Sequence, residues 1–280
     1  MPLLTPYAEL ITFTSVNLPR QIANAHTIFN VLVSMLMFPF VRQIAWLTDK
    51  LMPRKVLAET PSITQFIDPR LFQVPPVAIT EAGRELERIA NTASEMLDSS
   101  RDALLDGDLD AAASVLQKEK EFMDPICIIL EDFINTLMQG DLSVEQQKDC
   151  FRMKRLIIDL ERLGDLTENM AQSAKQRAKD KVKFSDQAHK DLRRLFKHAQ
   201  DMCRLTLRAI QTGQNGLAQE ACIQEEQFDI LYTEARNRHL ERLEKGICKP
   251  EAQLIFSETI CDLERFCDHL DNLALAVMEG

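Results

Sequence analysis

Apolar side chains recur along residues 77–280 at steps of three and four. Ile79, Ala82, Leu86, Ile89, Ala93 and Met96 mark one face of an amphipathic helix. The rhythm is interrupted at Asp106–Leu109, Gln139–Ser143, Val182–Ser185, Gln211–Gly216 and Gly246–Pro250. Gly just past a helix end and Pro just inside a helix start are the expected punctuation. Six helices are therefore predicted, at roughly 77–105, 109–138, 143–180, 184–211, 215–245 and 250–278.

The first part of the chain has a different pattern. Val31 to Val41 is almost entirely apolar, and extending the run back over Ala23 gives about 20 residues, enough for a membrane helix. A single span over about 23–47 is expected. Asn24, His26, Asn30 and Pro39 are groups that such a helix tolerates when neighbouring helices satisfy them. His26 reads as a packing or hydrogen-bonding residue rather than a proton relay. A signal peptide fits less well, because Arg20 is far from Met1 and no small-residue cleavage site follows. A buried helix of a soluble protein is the plain alternative. Only Arg20 precedes the run, whereas Arg42, Lys50, Arg54 and Lys55 follow it. The positive-inside bias then puts residues after about 50 in the cytoplasm, with Trp46 as an interfacial anchor. Residues 1–52 read as a membrane segment, and the stretch Tyr7–Val16 as half of a hairpin. Residues 53–76, with Pro53, Pro61, Pro69, Pro75 and Pro76, read as an extended linker rather than a packed element.

Composition sharpens this division. Nine of the 11 prolines lie in the first 76 residues, and all eight glycines lie from Gly83 onward. No Gly-rich nucleotide cradle of the Rossmann or P-loop kind exists. Residues 1–60 carry five basic and three acidic side chains, and the remaining 28 basic and 40 acidic residues leave the rest at a net of −12. So acidic a surface disfavours a nucleic-acid partner and suits a cation-attracting module. Seven cysteines without paired spacing fit core thiols in a reducing cytosol.

The six helices fall into two similar sets of three, 77–180 and 184–278. Glu161-Arg-Leu-Gly-Asp165-Leu-Thr-Glu-Asn169 stands 103 residues before Glu264-Arg-Phe-Cys-Asp268-His-Leu-Asp-Asn272. A repeat of that period is a duplicated domain, and two three-helix bundles packed side by side are expected. Residues four and eight apart share a helix face. Glu161, Asp165 and Asn169 make one all-oxygen stripe, and Glu264, Asp268 and Asn272 another; Glu225 and Asp229 join the second from its middle helix. Like charges at such spacing destabilise a helix by a few tenths of a kcal/mol. Ordinary ion pairs with Arg162 and Arg265 would offset this, and so would a cation held between facing helices. A single pair of this kind is commonly a solvated face; three at equivalent places strengthen the metal reading. In the first bundle Lys120 stands where Glu225 has its counterpart, ahead of Asp124 and Pro125. Pro125 should kink the helix there, and this site is expected to be degraded. None of His189, His198, His239 or His269 has a Glu three residues before it, which removes an oxidase-type di-iron bundle. No catalytic constellation can be argued, and no enzyme is expected.

The stretch His239-Leu-Glu-Arg-Leu-Glu-Lys-Gly-Ile-Cys-Lys-Pro-Glu-Ala, then Leu254-Ile-Phe, then Leu263-Glu-Arg-Phe-Cys-Asp-His-Leu-Asp-Asn, resembles a PhoU-type domain. It is most similar to the version fused to bacterial sodium/phosphate cotransporters. Arg20-Gln-Ile-Ala-Asn-Ala-His-Thr-Ile-Phe-Asn30 with its apolar run resembles the last membrane helix of that family, and Asp68-Pro-Arg-Leu-Phe-Gln-Val-Pro its linker. The resemblance implies an all-α chain: one N-terminal transmembrane helix, then a PhoU-like pair of three-helix bundles over 77–280. It implies divalent or iron-type metal ions at Glu161, Asp165, Glu225, Asp229, Glu264 and Asp268, with Lys120 departing from the pattern. It also implies regulation of phosphate uptake at the bacterial inner membrane and a transporter core as partner, and leaves room for a homo-oligomer. The family's Gln-Ser-Ser motifs are missing here. Phosphate and sodium would therefore be handled only through the full transporter, of which this chain looks like the C-terminal end. A transport-competent subunit that needs a separate core, and a soluble PhoU-like adaptor, are the alternatives.

Overall fold

The computed structural model of the chain describes residues 11–14, 17–40, 63–246 and 250–279. Among these, every regular element is helical. The chain divides into two compact units, Met1–Pro61 and Ser62–Gly280.

In the first unit, α1 spans Leu18–Met37 and ends in a 3₁₀ turn, Phe38–Phe40. The α-helix stops two residues before Pro39, as expected where a proline disfavours helical geometry in the residue before it. Leu18–Phe40 is long and apolar enough to cross a membrane, with a mean hydropathy of 1.4 and none of it buried. Val31, Leu32, Met35, Leu36 and Phe38 are exposed apolar side chains along it. Residues 41–62, including Trp46 and the basic flank, lie outside the described residues, as does most of Tyr7–Val16.

The second unit begins with a segment that the sequence assigns to an extended linker. Its described part is docked instead. Ile63, Ile67, Leu71 and Phe72 pack against the helical core, and the Phe72 and Phe133 rings lie 4.8 Å apart. Asp68 caps a 3₁₀ turn over Pro69–Gln73 by accepting from the Arg70 N–H. Pro75 and Pro76 open α2 (Pro75–Arg101), where their missing N–H groups cost nothing. The anchor is Glu85, which is fully buried. Its carboxylate accepts from the backbone N–H groups of Gln65 and Phe66 and pairs with Arg88 at 2.9 Å. Arg88 also donates to the Ile63 carbonyl at 2.8 Å, and the Arg84 guanidinium lies over the Phe66 ring.

The remaining helices follow the expected order closely. They are α3 (Leu109–Lys118), α4 (Asp124–Leu137), α5 (Val144–Lys179), α6 (Asp186–Thr212), α7 (Asn215–Glu244) and α8 (Pro250–Met278). Local chemistry sets their ends. Ser143 and Gln146 form a reciprocal capping box on α5 and Ser185 caps α6; left-handed Gly107 closes the π-turn Asp102–Asp106 that follows α2, and left-handed Gly213 closes α6. Helices α2, α3, α4 and α5 make the first bundle, and α6, α7 and α8 the second; α5 packs on α8 and α2 on α6. One continuous apolar core runs through both bundles, with Ile89, Met96, Leu130, Phe196, Phe228, Phe256 and Phe266 fully buried. Cys127, Cys150, Cys203 and Cys267 are buried free thiols within it.

The expected kink at Pro125 takes a specific form. Helices α3 and α4 are one helix interrupted by a π-turn, Glu119–Met123, in which the Asp124 N–H donates to the Glu119 carbonyl five residues back. The pyrrolidine ring of Pro125 would crowd the Glu121 carbonyl in a regular α-helix. A wider turn just before the proline relieves that crowding and adds one residue to the turn.

Removing the Glu85 carboxylate would strand two backbone donors and the Arg88 guanidinium. Glu85→Ala should therefore lower stability by about 3 kcal/mol, read as a shift in the urea unfolding midpoint. Glu85→Gln, which keeps an acceptor for the two N–H groups, should cost less.

Candidate metal centre

The π-turn decides which side chain meets the carboxylates of the first bundle. With one extra residue in the turn, Glu119 rather than Lys120 is rotated inward. Lys120 is exposed. The expectation that Lys120 stands in the cluster does not hold: the sequence spacing assumed an uninterrupted α-helix, and the turn moves the register by one. One oxygen each of Glu119, Asp124 and Asp165 lies within 4.8 Å of the others. That spacing is on the order of twice a metal–oxygen bond of about 2.0–2.6 Å.

Glu119 is 3% exposed, and neither of its carboxylate oxygens has a hydrogen-bond partner. Burial pushes its pKa up to about 8, helped by the charge of Asp124, by the hydrogen bond its protonated form shares with Asp124, and then by the charges of Asp165 and Glu168. Room for it comes from Gly164 on α5. A Cβ at that position would stand 2.5 Å from Glu119 Oε2 and 3.1 Å from Oε1. The glycine inside Glu161-Arg-Leu-Gly-Asp165 thus clears a cradle for a carboxylate. Arg162 pairs with Asp165 at 2.8 Å on the exposed rim, leaving Glu119 without a cationic partner. Cys127 borders the cluster; burial, then Glu161 and Glu119, push its thiol up to about 12.

In the second bundle, acidic side chains of α7 and α8 also raise one another's pKa, although among the described residues only the first-bundle trio brings three ligand oxygens within 4.8 Å. Burial and then the charges of Asp229, Asp271 and Asp268 raise Glu225 to about 7. Glu264 is raised by burial, then by Asp268 and Asp229, and Asp268 by burial, then by Asp229. Cys222 is raised to about 12 by burial, then by its hydrogen bond to Asp271. One buried oxygen of Asp271, Oδ1, has no partner.

Two predicted members of the stripes lie elsewhere. Asn272 donates to Asp159 on α5 at 3.5 Å, beside the His269–Asp159 contact at 2.9 Å. Asn169 lines a cavity of about 650 Å³ with Gln172, Ser173, Asp262 and Arg265. On a straight helix a residue four positions on is turned by about 40° and one eight positions on by about 80°. The third residue of each stripe therefore rotates out of the cluster toward the neighbouring bundle. The charges that act on Glu119 and Glu225 instead come from Glu168 and Asp271, three residues after Asp165 and Asp268. Their signal was available: 168 and 271 keep the same 103-residue offset as the other motif positions.

The donor set fits a hard or borderline divalent cation. Its oxygens are carboxylate, converging and partly orphaned, and the metal-free cluster is electrostatically costly. Because Glu119 binds a proton in the fold well above the usual carboxylate range, the metal-free protein should lose stability as pH rises from about 4.5 to about 8. Urea midpoints across that range should show the decline. Glu119→Gln should flatten it, and a divalent cation should offset it at the alkaline end.

The matches with known proteins coincide with this architecture. The PhoU domain family model matches residues 79–174 and 192–277, one copy per bundle. A candidate inorganic phosphate export protein of Salmonella typhimurium, YjbB, is 18% identical over 281 residues, covering 100% of this chain and 51% of that protein. A homologue of the phosphate-specific transport system accessory protein PhoU from Thermotoga maritima is 28% identical over 127 residues, 43% of this chain and 51% of its own. The chain thus spans about half the length of these curated relatives. Among solved structures, PhoU from Pseudomonas aeruginosa superposes with a TM-score of 0.68 at 18% identity, over 74% of this chain and 97% of its own. The regulatory protein PhoU from Streptococcus pneumoniae gives 0.65 at 18% identity, over 73% and 95%. With both bundles matched by the family model and the paired three-helix fold shared with these structures, the chain belongs to the PhoU domain family.

Proposed function

We propose that this chain is a cation-binding regulatory module of phosphate movement across a membrane, joined through residues 53–73 to an N-terminal membrane helix. The observation that carries the cation part is the buried Glu119 carboxylate, unpartnered and within 4.8 Å of Asp124 and Asp165. The phosphate part is supported by relatives named for phosphate export and for accessory function in phosphate transport.

Glu119, Asp124, Asp165 and Glu161 would hold a divalent or iron-type cation in the first bundle, and Glu225, Asp229, Glu264 and Asp268 one in the second. Each cation would neutralise carboxylates from a middle and a third helix and so tie the two together. Glu119, protonated without the cation, gives up its proton on binding. The role is one of binding and contact, with no catalytic residue assigned.

The apolar, unburied surface of Leu18–Phe40 favours anchoring in the bacterial inner membrane. The basic residues Arg42, Lys50, Arg54 and Lys55 favour a cytoplasmic position for the bundles. The resemblance to the C-terminal region of sodium/phosphate cotransporters makes a transporter core the proposed partner, with sodium and phosphate handled there. Assembly with a second copy of this chain is compatible with the arrangement.

The chain should sediment with membranes and resist extraction by salt. Purified in detergent, it should retain manganese- or iron-type metal that falls by at least half in Glu119→Gln or Asp165→Asn protein. Cells carrying the wild-type chain should change their phosphate flux, and cells carrying either variant should not. Release by salt alone would contradict the anchor, and unchanged metal content in both variants would contradict the cation site.

A further inference from the structure

The five-residue turn that presents Glu119 to the carboxylates also carries Phe122. The Phe122 ring lies under the Arg88 guanidinium, 4.9 Å from its carbon to the ring centroid. Arg88 is the residue that holds the docked segment from the other side. Its Nη2 donates to the Ile63 carbonyl at 2.8 Å, and its Nη1 pairs with Glu85, whose other oxygen accepts from the Gln65 and Phe66 N–H groups. An unbroken series of contacts therefore joins the carboxylate cluster to residues 63–66.

We infer that cation occupancy at Glu119, Asp124 and Asp165 is coupled to docking of residues 63–73 through the Phe122–Arg88 contact, each strengthening the other. This rests on the cluster binding a divalent cation. Glu119 and Phe122 move together because they share one turn. A return of that turn to α-helical register rotates the residues by about 100° relative to one another across it, carrying Glu119 out of the cluster or Phe122 off Arg88. A cation that fixes the Glu119 carboxylate holds the π-turn and with it the platform beneath the guanidinium. Arg88 is also the cation beside the fully buried Glu85 carboxylate. Loosening Arg88 leaves that carboxylate poorly compensated and weakens its hold on the Gln65 and Phe66 N–H groups. The element with two states is the segment itself, docked or released, and its equilibrium is biased from both ends. By linkage, a variant that releases the segment must weaken cation binding by the same factor by which the cation favours docking. In the proposed module, this gives the cation site a route to the segment that leads to the membrane helix.

The test uses the full chain in detergent, with manganese chloride as the probe against chelator-treated protein. Hydrogen exchange of the Gln65 and Phe66 amides, and tryptic cleavage after the exposed Arg70, report release of the segment. Manganese should slow both by about fivefold or more, the low end of ordinary coupling between sites. Phe122→Leu, which keeps apolar volume but removes the ring face, should cut that protection to under about twofold and weaken manganese binding by a matching factor. Arg88→Gln should do the same; a residue that merely supports the fold would raise exchange equally with and without manganese. Manganese binding that leaves wild-type exchange unchanged, or full protection retained in Phe122→Leu, overturns the coupling while the cation site stands. No manganese binding by the wild-type chain removes the cation site and the coupling with it.

Discussion

A carboxylate removed from water without a donor or a counter-charge is among the least comfortable groups a protein can contain. Ionised Glu119 is in that condition, and the charges of Asp124, Asp165 and Glu168 make it worse, relieved only when a proton lets it hydrogen-bond Asp124. The rest of the first bundle is arranged so that this conflict is kept rather than relieved. Pro125 widens the turn that points Glu119 inward, and Gly164 leaves the space its carboxylate fills. Arg162 pairs with Asp165 at the rim of the cluster, and no basic side chain pairs with Glu119 among the described residues. A proton or a divalent cation is what such a site asks for, and the proposed function follows from that demand.

The duplication shows how the same end is reached twice by different local means. In the second bundle Glu225 and Asp229 stand four apart on an unbroken helix, α7. In the first, Glu119 and Asp124 stand five apart, and the π-turn absorbs the extra residue. Burial and neighbouring carboxylates raise both Glu119 and Glu225, on two different backbones. A shift of one residue in a helix normally moves a side chain to another face. Here it is cancelled by a backbone irregularity of matching size.

Much of the fold was legible in the sequence because it rests on local rules. Three- and four-residue apolar steps, glycines past helix ends and prolines at helix starts located the six bundle helices to within a few residues, and the 103-residue repeat revealed the pairing of bundles. The site was legible only in part. Asp165, Glu225, Asp229, Glu264 and Asp268 could be picked out because a carboxylate motif repeats. Glu119 could not, because nothing in the order Glu119, Lys120 says that the helix gains a residue; the sole hint was Pro125, read as damage. Asn169 and Asn272 were grouped with the stripes by treating eight residues as one face, which the helical twist does not allow. Residues 63–74 read as a linker because prolines dominate the pattern. Their docking depends on Glu85 and Arg88, which lie about 20 residues further on and look like any exposed helical pair.

The central claim is that the orphaned Glu119 carboxylate, with Asp124 and Asp165, is a cation site. Crystals of the chain grown with manganese, with data collected at its absorption edge, would address this most directly. The account predicts an anomalous peak bounded by oxygens of those three residues, at about 2.0–2.6 Å from each. A Glu119 carboxylate hydrogen-bonded to a protein donor, with no anomalous density beside it, would contradict the account.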